Sequence, residues 1–165
     1  MDPAEFPAFL RHYFSEELKQ SWIFMALGLT AILAGSWLWR TQSAFRHALW
    51  PLLLLAAIQL AMGGAGLLRI PGSMQDMETR MASQPAEFKA SEILRLARIL
   101  DAFRFTKLAE IALLLTAMAL ALLGPHSAAA RGWALGLLLQ SSFLLAANLV
   151  AEQRTETYLD LLRRI

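Results

Sequence analysis

The chain of 165 residues contains no cysteine. Disulfides, thiolate nucleophiles and cysteine-ligated zinc are therefore excluded, and the redox compartment leaves no mark. Charge is also scarce. Asp, Glu, Lys and Arg make up 17% of the residues, against about 25% in an ordinary soluble domain. There are three histidines, His12, His47 and His126. The topology read below puts His12 on one side and the other two opposite. A histidine metal centre or proton relay is therefore not expected. No nucleophile elbow, HExxH zinc helix or Walker phosphate loop occurs. The glycine-rich "MGGAGLLR" lies inside an apolar run rather than after a strand, so it is not a phosphate cradle. No internal repeat or low-complexity tract is present.

Apolar sequence is abundant. The composition is 57% hydrophobic, where about 45–50% is usual. The excess comes in blocks. Uncharged runs occupy 20–39 ("QSWIFMALGLTAILAGSWLW"), 48–68 and 132–151. Each matches the roughly 20 residues that cross a hydrocarbon core about 30 Å thick. A fourth block, "IALLLTAMALALL", follows Glu110 and is short. To span, its helix must begin near Phe103 or Arg104, giving a segment at 104–123. Lys107 and Glu110 then lie at or just inside one interface, where a charge is costly and tends to have a partner. All five tryptophans, Trp22, Trp37, Trp39, Trp50 and Trp133, fall near span ends, as in the aromatic belts of membrane helices. Asp2, Glu5, Glu16 and Glu17 precede the first run, which argues against a cleaved signal peptide.

The fold read from this pattern is an all-α integral membrane protein forming a single domain. Four transmembrane helices make an up-down bundle, extended on the cytoplasmic side by helical segments at 3–19, 91–104 and 152–165. Four spans put both termini on one side. That side holds every Asp and Glu and twelve of the 15 Lys and Arg, leaving Arg40, Arg46 and Arg131 opposite. The bias of basic residues favours cytoplasmic termini. The layout of short outer turns with long helices continuing on the inner side resembles that of many small bacterial membrane proteins, so a bacterial inner membrane is the expected setting. Net charge is only +2 with bases and acids interleaved, so nucleic acid is not an expected partner. Pro71-Gly72 and Pro85 mark breaks in the long connection between spans two and three. A single helix is expected from about 91 to 123. Its charges recur every three residues from Glu92 to Glu110, a period that drifts around a 3.6-residue helix and forms no single face.

Inside the spans, Gln59 and Gln140 lie near the midplane, where lipid offers an amide no partner. They are read as interhelical glue, as part of a polar path, or as an oligomer contact. Ala57, Ala61 and Ala65 form a small-residue stripe on span two. Ala31 with Gly35 and Gly132 with Gly136 do the same on spans one and four, marking close helix approach, by default to another helix of the chain and otherwise to another subunit. At the cytoplasmic edge a charged layer is expected: Lys19, Arg69, Arg104, Lys107 and Arg154 with Glu110, Glu152 and Glu156. Asn148 lies one turn deeper on the face of Glu152. This layer either fixes helix register through snorkelling side chains, or forms a polar pocket under the cytoplasmic helices for a lipid headgroup, small ion or peptide.

The candidate binding residues are accordingly Gln59, Lys107, Glu110, Gln140, Asn148, Glu152 and Arg154. No catalytic or metal-ligating set and no cofactor are expected. The function read from the sequence is a non-catalytic membrane binding, regulatory or accessory subunit. An immunity-type protector against a membrane-targeting toxin also fits this form. The subunit would act through helix contacts with the bilayer and with another membrane protein or a second copy. The alternative is a small oligomeric transporter or channel with Gln59, Gln140 and Glu110 on its path. A lipid-modifying enzyme at the inner edge is a third class.

Overall fold

The computed structural model describes residues 6–43 and 45–164, and every regular element among them is helical. Helix α1 covers Phe6–Arg40, α2 Leu49–Ser83, α3 Pro85–Leu122 and α4 Ala128–Arg164, with a 3-10 turn at Arg46–Ala48 before α2. Residues 3–5 of the expected first segment, and Ile165 of the last, lie outside the described residues. Each helix contains a stretch long and apolar enough to cross a membrane. At 35 to 38 residues, each is about 52–57 Å long. A membrane core of about 30 Å takes up little more than half of that.

The remainder corrects one expectation. Pro71-Gly72 does not break the chain: α2 runs through Pro71 to Ser83. Proline inside a helix costs about 3 kcal/mol. Here the burial of one face offsets that cost. Ile70, Met74, Met77 and Met81 follow at helical spacing and pack into a common core, while Pro71 and Gly72 are exposed. The break comes at Gln84, whose φ of −144° and ψ of 66° are not helical. Pro85 then opens α3 in the first turn, where its missing N–H and fixed φ are no disadvantage. The third helical segment thus starts at Pro85 rather than 91, and the expected loop is two long helices meeting at one residue.

The extensions share a core drawn from all four helices. It contains Leu10, Tyr13 and Phe14 from α1, Ile70 and Met77 from α2, Phe88 and Leu96 from α3, and Tyr158, Leu159 and Leu162 from α4. A second cluster, Phe24, Leu55, Ala117, Leu137 and Leu144, sits among the apolar segments. A third lies toward the Arg46–Ala48 turn.

Two helix pairs pack closely, α1 with α2 and α3 with α4, while α2 meets α3 sparsely. Between α1 and α2 the contact order reverses. A Cβ on Gly63 would lie 2.7 Å from Ser21 O, one on Gly28 3.2 Å from Ala56 O, and one on Gly35 3.3 Å from Leu49 Cα. Between α3 and α4 it reverses too, since Lys107 meets Glu152 and Glu110 meets Asn148. Helix α4 ties the pairs together by seating Gly132 and Gly136 on the Arg46–Ala48 turn and Pro51.

The alanine stripe of α2 is the second correction. Ala57, Ala61 and Ala65 are exposed. The buried face of α2 carries Pro51, Leu52, Leu55, Ala56, Gln59 and Gly63 instead. Close approach depends on glycine, because α1 and α4 come within van der Waals range of main chain at those positions. All five tryptophans face outward, between 38% and 65% exposed, the orientation an aromatic belt requires. The drifting charges of α3 disperse as its period implies. Glu92 and Glu110 are buried, whereas Asp101 and Arg104 are about three-quarters exposed.

Candidate functional site

Gln59 and Gln140 meet. Gln59 Nε2 donates to Gln140 Oε1 at 2.8 Å, and both side chains are buried. Ser141, beside them, is fully buried. The pair joins α2 to α4. Such a bond contributes about 0.6–2 kcal/mol in a membrane interior. Gln59→Leu or Gln140→Leu alone is expected to destabilise by about that amount, because each leaves one amide without a partner. The double replacement is expected to recover most of the loss. A double-mutant cycle in detergent unfolding checks this, and additive single effects would exclude the coupling.

The charged layer divides into two parts. One is the α3–α4 seam. Lys107 Nζ lies 2.5 Å from Glu152 Oε2, and the Asn148 amide donates to Glu110 Oε1. Glu110 Oε2 is buried without a hydrogen bond among the described residues. These four are the residues that the antiparallel register of spans three and four predicts at one depth.

The other part lies between α1, α2, α3 and the near face of α4. A cavity of about 360 Å³ opens there, and its lining includes Glu17, Arg69, Arg95, Asn148 and Arg154. Arg154 departs from the expected pairing with acids. Its Nη2 donates to Gln20 Oε1 at 2.6 Å, and its guanidinium carbon stands 5.6 Å from the centre of the Tyr13 ring. Its Nε is buried with no hydrogen bond among the described residues. Lys19 also departs from the expected layer, pairing with Glu16 one turn away at 2.5 Å.

Arg95 is held by a two-pronged contact with Glu92, at 2.8 and 2.5 Å. Glu92 is itself buried, so the guanidinium is fixed in place from below. Tyr13 and Tyr158 stack 4.6 Å apart beside this group. Burial pushes the Tyr158 phenol well above its ordinary range. Burial also raises the Glu17 carboxyl above the usual carboxylate range. Arg95, Arg154 and Arg69 oppose that shift, while Glu92 adds to it.

Of the residues singled out from the sequence, Asn148 and Arg154 line the cavity. Lys107, Glu110 and Glu152 form the neighbouring seam, and Gln59 and Gln140 form a separate contact nearer the middle of the apolar stretches. Glu17 and Arg95 were not in the expected layer. Both lie outside the spans on extension helices, so nothing in their local sequence points toward a shared cavity. Among the described residues, no group of three or more His, Asp or Glu is placed to hold a metal ion.

Comparison with protein-family models, curated proteins and solved structures finds no match. What the structure defines is a class: an all-helical protein with four helices long and apolar enough to span a membrane.

Proposed function

We propose that this chain is an integral membrane protein of four spans in up-down order, and that it works by binding rather than by catalysis. Its role is that of a regulatory or accessory subunit of another membrane protein. The observation that carries this reading is the cavity at the junction of spans and extensions. It is lined by charged side chains and apolar walls. The buried Gln59–Gln140 bond supports the same reading, since these two amides bond each other between α2 and α4.

The bias of Lys and Arg toward the termini side supports cytoplasmic termini, in what we take to be a bacterial inner membrane. In that setting the outward apolar residues of α3, such as Leu108, Leu115 and Leu122, meet lipid and the partner's spans. Small exposed residues such as Ala57, Ala61 and Ala65 allow a neighbouring helix to approach closely.

The test is capture from native membranes in mild detergent, after cross-linking, with the co-purifying polypeptides identified by mass spectrometry. One membrane protein recovered in fixed stoichiometry is the expected result. A chain recovered alone from cross-linked native membranes would rule out the subunit role.

A further inference from the structure

The cavity has a polar upper part and an apolar lower part. Glu17, Arg69, Arg95 and Arg154 line it at the extension level, and Phe24, Met62, Ala65 and Phe103 line it at the level where the apolar segments begin. Three guanidinium groups and one carboxyl group line the upper part. Arg95 is already paired with Glu92, and the excess positive charge left on Arg69 and Arg154 over Glu17 favours an anion. Burial moves the Glu17 carboxyl toward its neutral form, which increases that preference. Arg154 Nε is a buried donor without a hydrogen bond, and an anionic oxygen would satisfy it. Arg95 is preorganised by Glu92, so little side-chain freedom is lost when it meets a ligand.

The cavity is also open at the side. Helices α2 and α3 pack sparsely, and Met62, Ala65 and Arg69 of the lining are exposed. Its volume falls in the range of small-molecule sites, about 300–1,000 Å³. A ligand there meets charge at the membrane surface and apolar side chains below it.

Resting on the membrane-embedded binding role proposed above, we infer that this cavity holds the head of an anionic lipid, with the acyl chains leaving between α2 and α3. Arg69 and Arg154 bind the phosphate, and Met62, Ala65 and Phe103 receive the first part of the chains. Arg40, Arg46 and Arg131 lie at the far end of the helices.

Binding of short-chain phosphatidylglycerol to the purified chain in uncharged detergent tests this, read by thermal unfolding and native mass spectrometry. Phosphatidylcholine of the same chain length and inorganic phosphate serve as comparison probes. Phosphatidylglycerol is expected to bind as a single retained adduct. Arg69→Gln is expected to weaken it about fivefold, the ratio that corresponds to roughly 1 kcal/mol per basic residue at a membrane surface. Arg69 is exposed, so its replacement leaves the core intact.

Ala65→Trp fills the side opening without altering charge and is expected to weaken binding at least as much. Arg131→Gln is expected to have no effect. Binding is also expected to tighten as pH falls toward the ordinary carboxylate range. The Glu17 carboxyl, which burial raises above that range, then takes up a proton, and one negative charge beside Arg69, Arg95 and Arg154 is lost; Glu92, paired with Arg95, and Tyr13 lie behind. Glu17→Gln is expected to abolish that pH dependence.

Equal loss in Arg131→Gln, or no loss in Ala65→Trp, would mean diffuse surface attraction and would overturn the assignment. Inorganic phosphate binding as tightly as the lipid would overturn it in favour of a free-anion site. All these readouts use the isolated chain, so their failure leaves the partner-capture result standing, and the reverse also holds.

Discussion

Replacing Gly132 with leucine is expected to cost at least about 3 kcal/mol, at the upper end of overpacking penalties. A Cβ at this position would come within 2.8 Å of Ala48 N and 2.9 Å of His47 C. Both are main-chain atoms, so no side-chain rotation relieves the clash. Helix α4 would have to move off the Arg46–Ala48 turn, its main link to the α1–α2 pair. Even alanine is expected to destabilise here. At Gly64 the reverse holds: nothing lies within 4 Å of a Cβ. Gly64→Ala is expected to stabilise by about 0.5–1 kcal/mol through helix propensity alone. Opposite signs for Gly132→Ala and Gly64→Ala, measured by unfolding in one detergent, would establish the α4 contact. A neutral Gly132→Leu would disprove it.

Leu96→Ala is expected to destabilise by about 2–5 kcal/mol. Leu96 is completely buried in the extension core, together with Leu10, Ile70 and Leu162 from the other three helices. Two residues away, Leu94 is 59% exposed, and Leu94→Ala is expected to change stability by no more than about 0.5 kcal/mol. The comparison asks whether the extensions form one folded layer or four independent helical ends. Equal, small effects would mean independent ends. The cavity would then lose its roof, because Tyr13, Phe14 and Ile70 belong both to that core and to the lining.

These effects connect stability to the proposed role. Arg95 and Arg154 reach the cavity only because the extension core fixes α3 and α4 against α1. A destabilised extension is therefore expected to weaken anionic-lipid binding without removing the helices from the membrane, since the apolar stretches remain intact.

Three uncharged runs of about 20 residues and one shorter apolar block, extended back to about residue 104, determined the number and approximate placement of the apolar helices, because such a length is a property of the chain itself. The similar depth of Lys107 and Glu110 to Asn148 and Glu152 was also legible, though not which residue meets which. Once consecutive spans alternate in direction, equal distances from the interface place those residues side by side. The same reasoning placed Gln59 and Gln140 at similar depth, and the structure shows them bonded.

Helix rotation was not determined in this way. Ala57, Ala61 and Ala65 read as a packing stripe but face outward, because a stripe of small residues does not say which neighbour it meets. Pro71-Gly72 read as a stop because proline's local cost is visible in the sequence, whereas the compensating burial of Ile70 and Met77 depends on three other helices. The cavity follows the same logic. Its arginines come from α2, α3 and α4 and its carboxylate from α1, each unremarkable in its own segment. Only the packing of four rigid helices set Glu17, Arg69, Arg95 and Arg154 around one space, because side chains far apart in sequence acquire a common environment only when tertiary contacts fix the rotation of every helix.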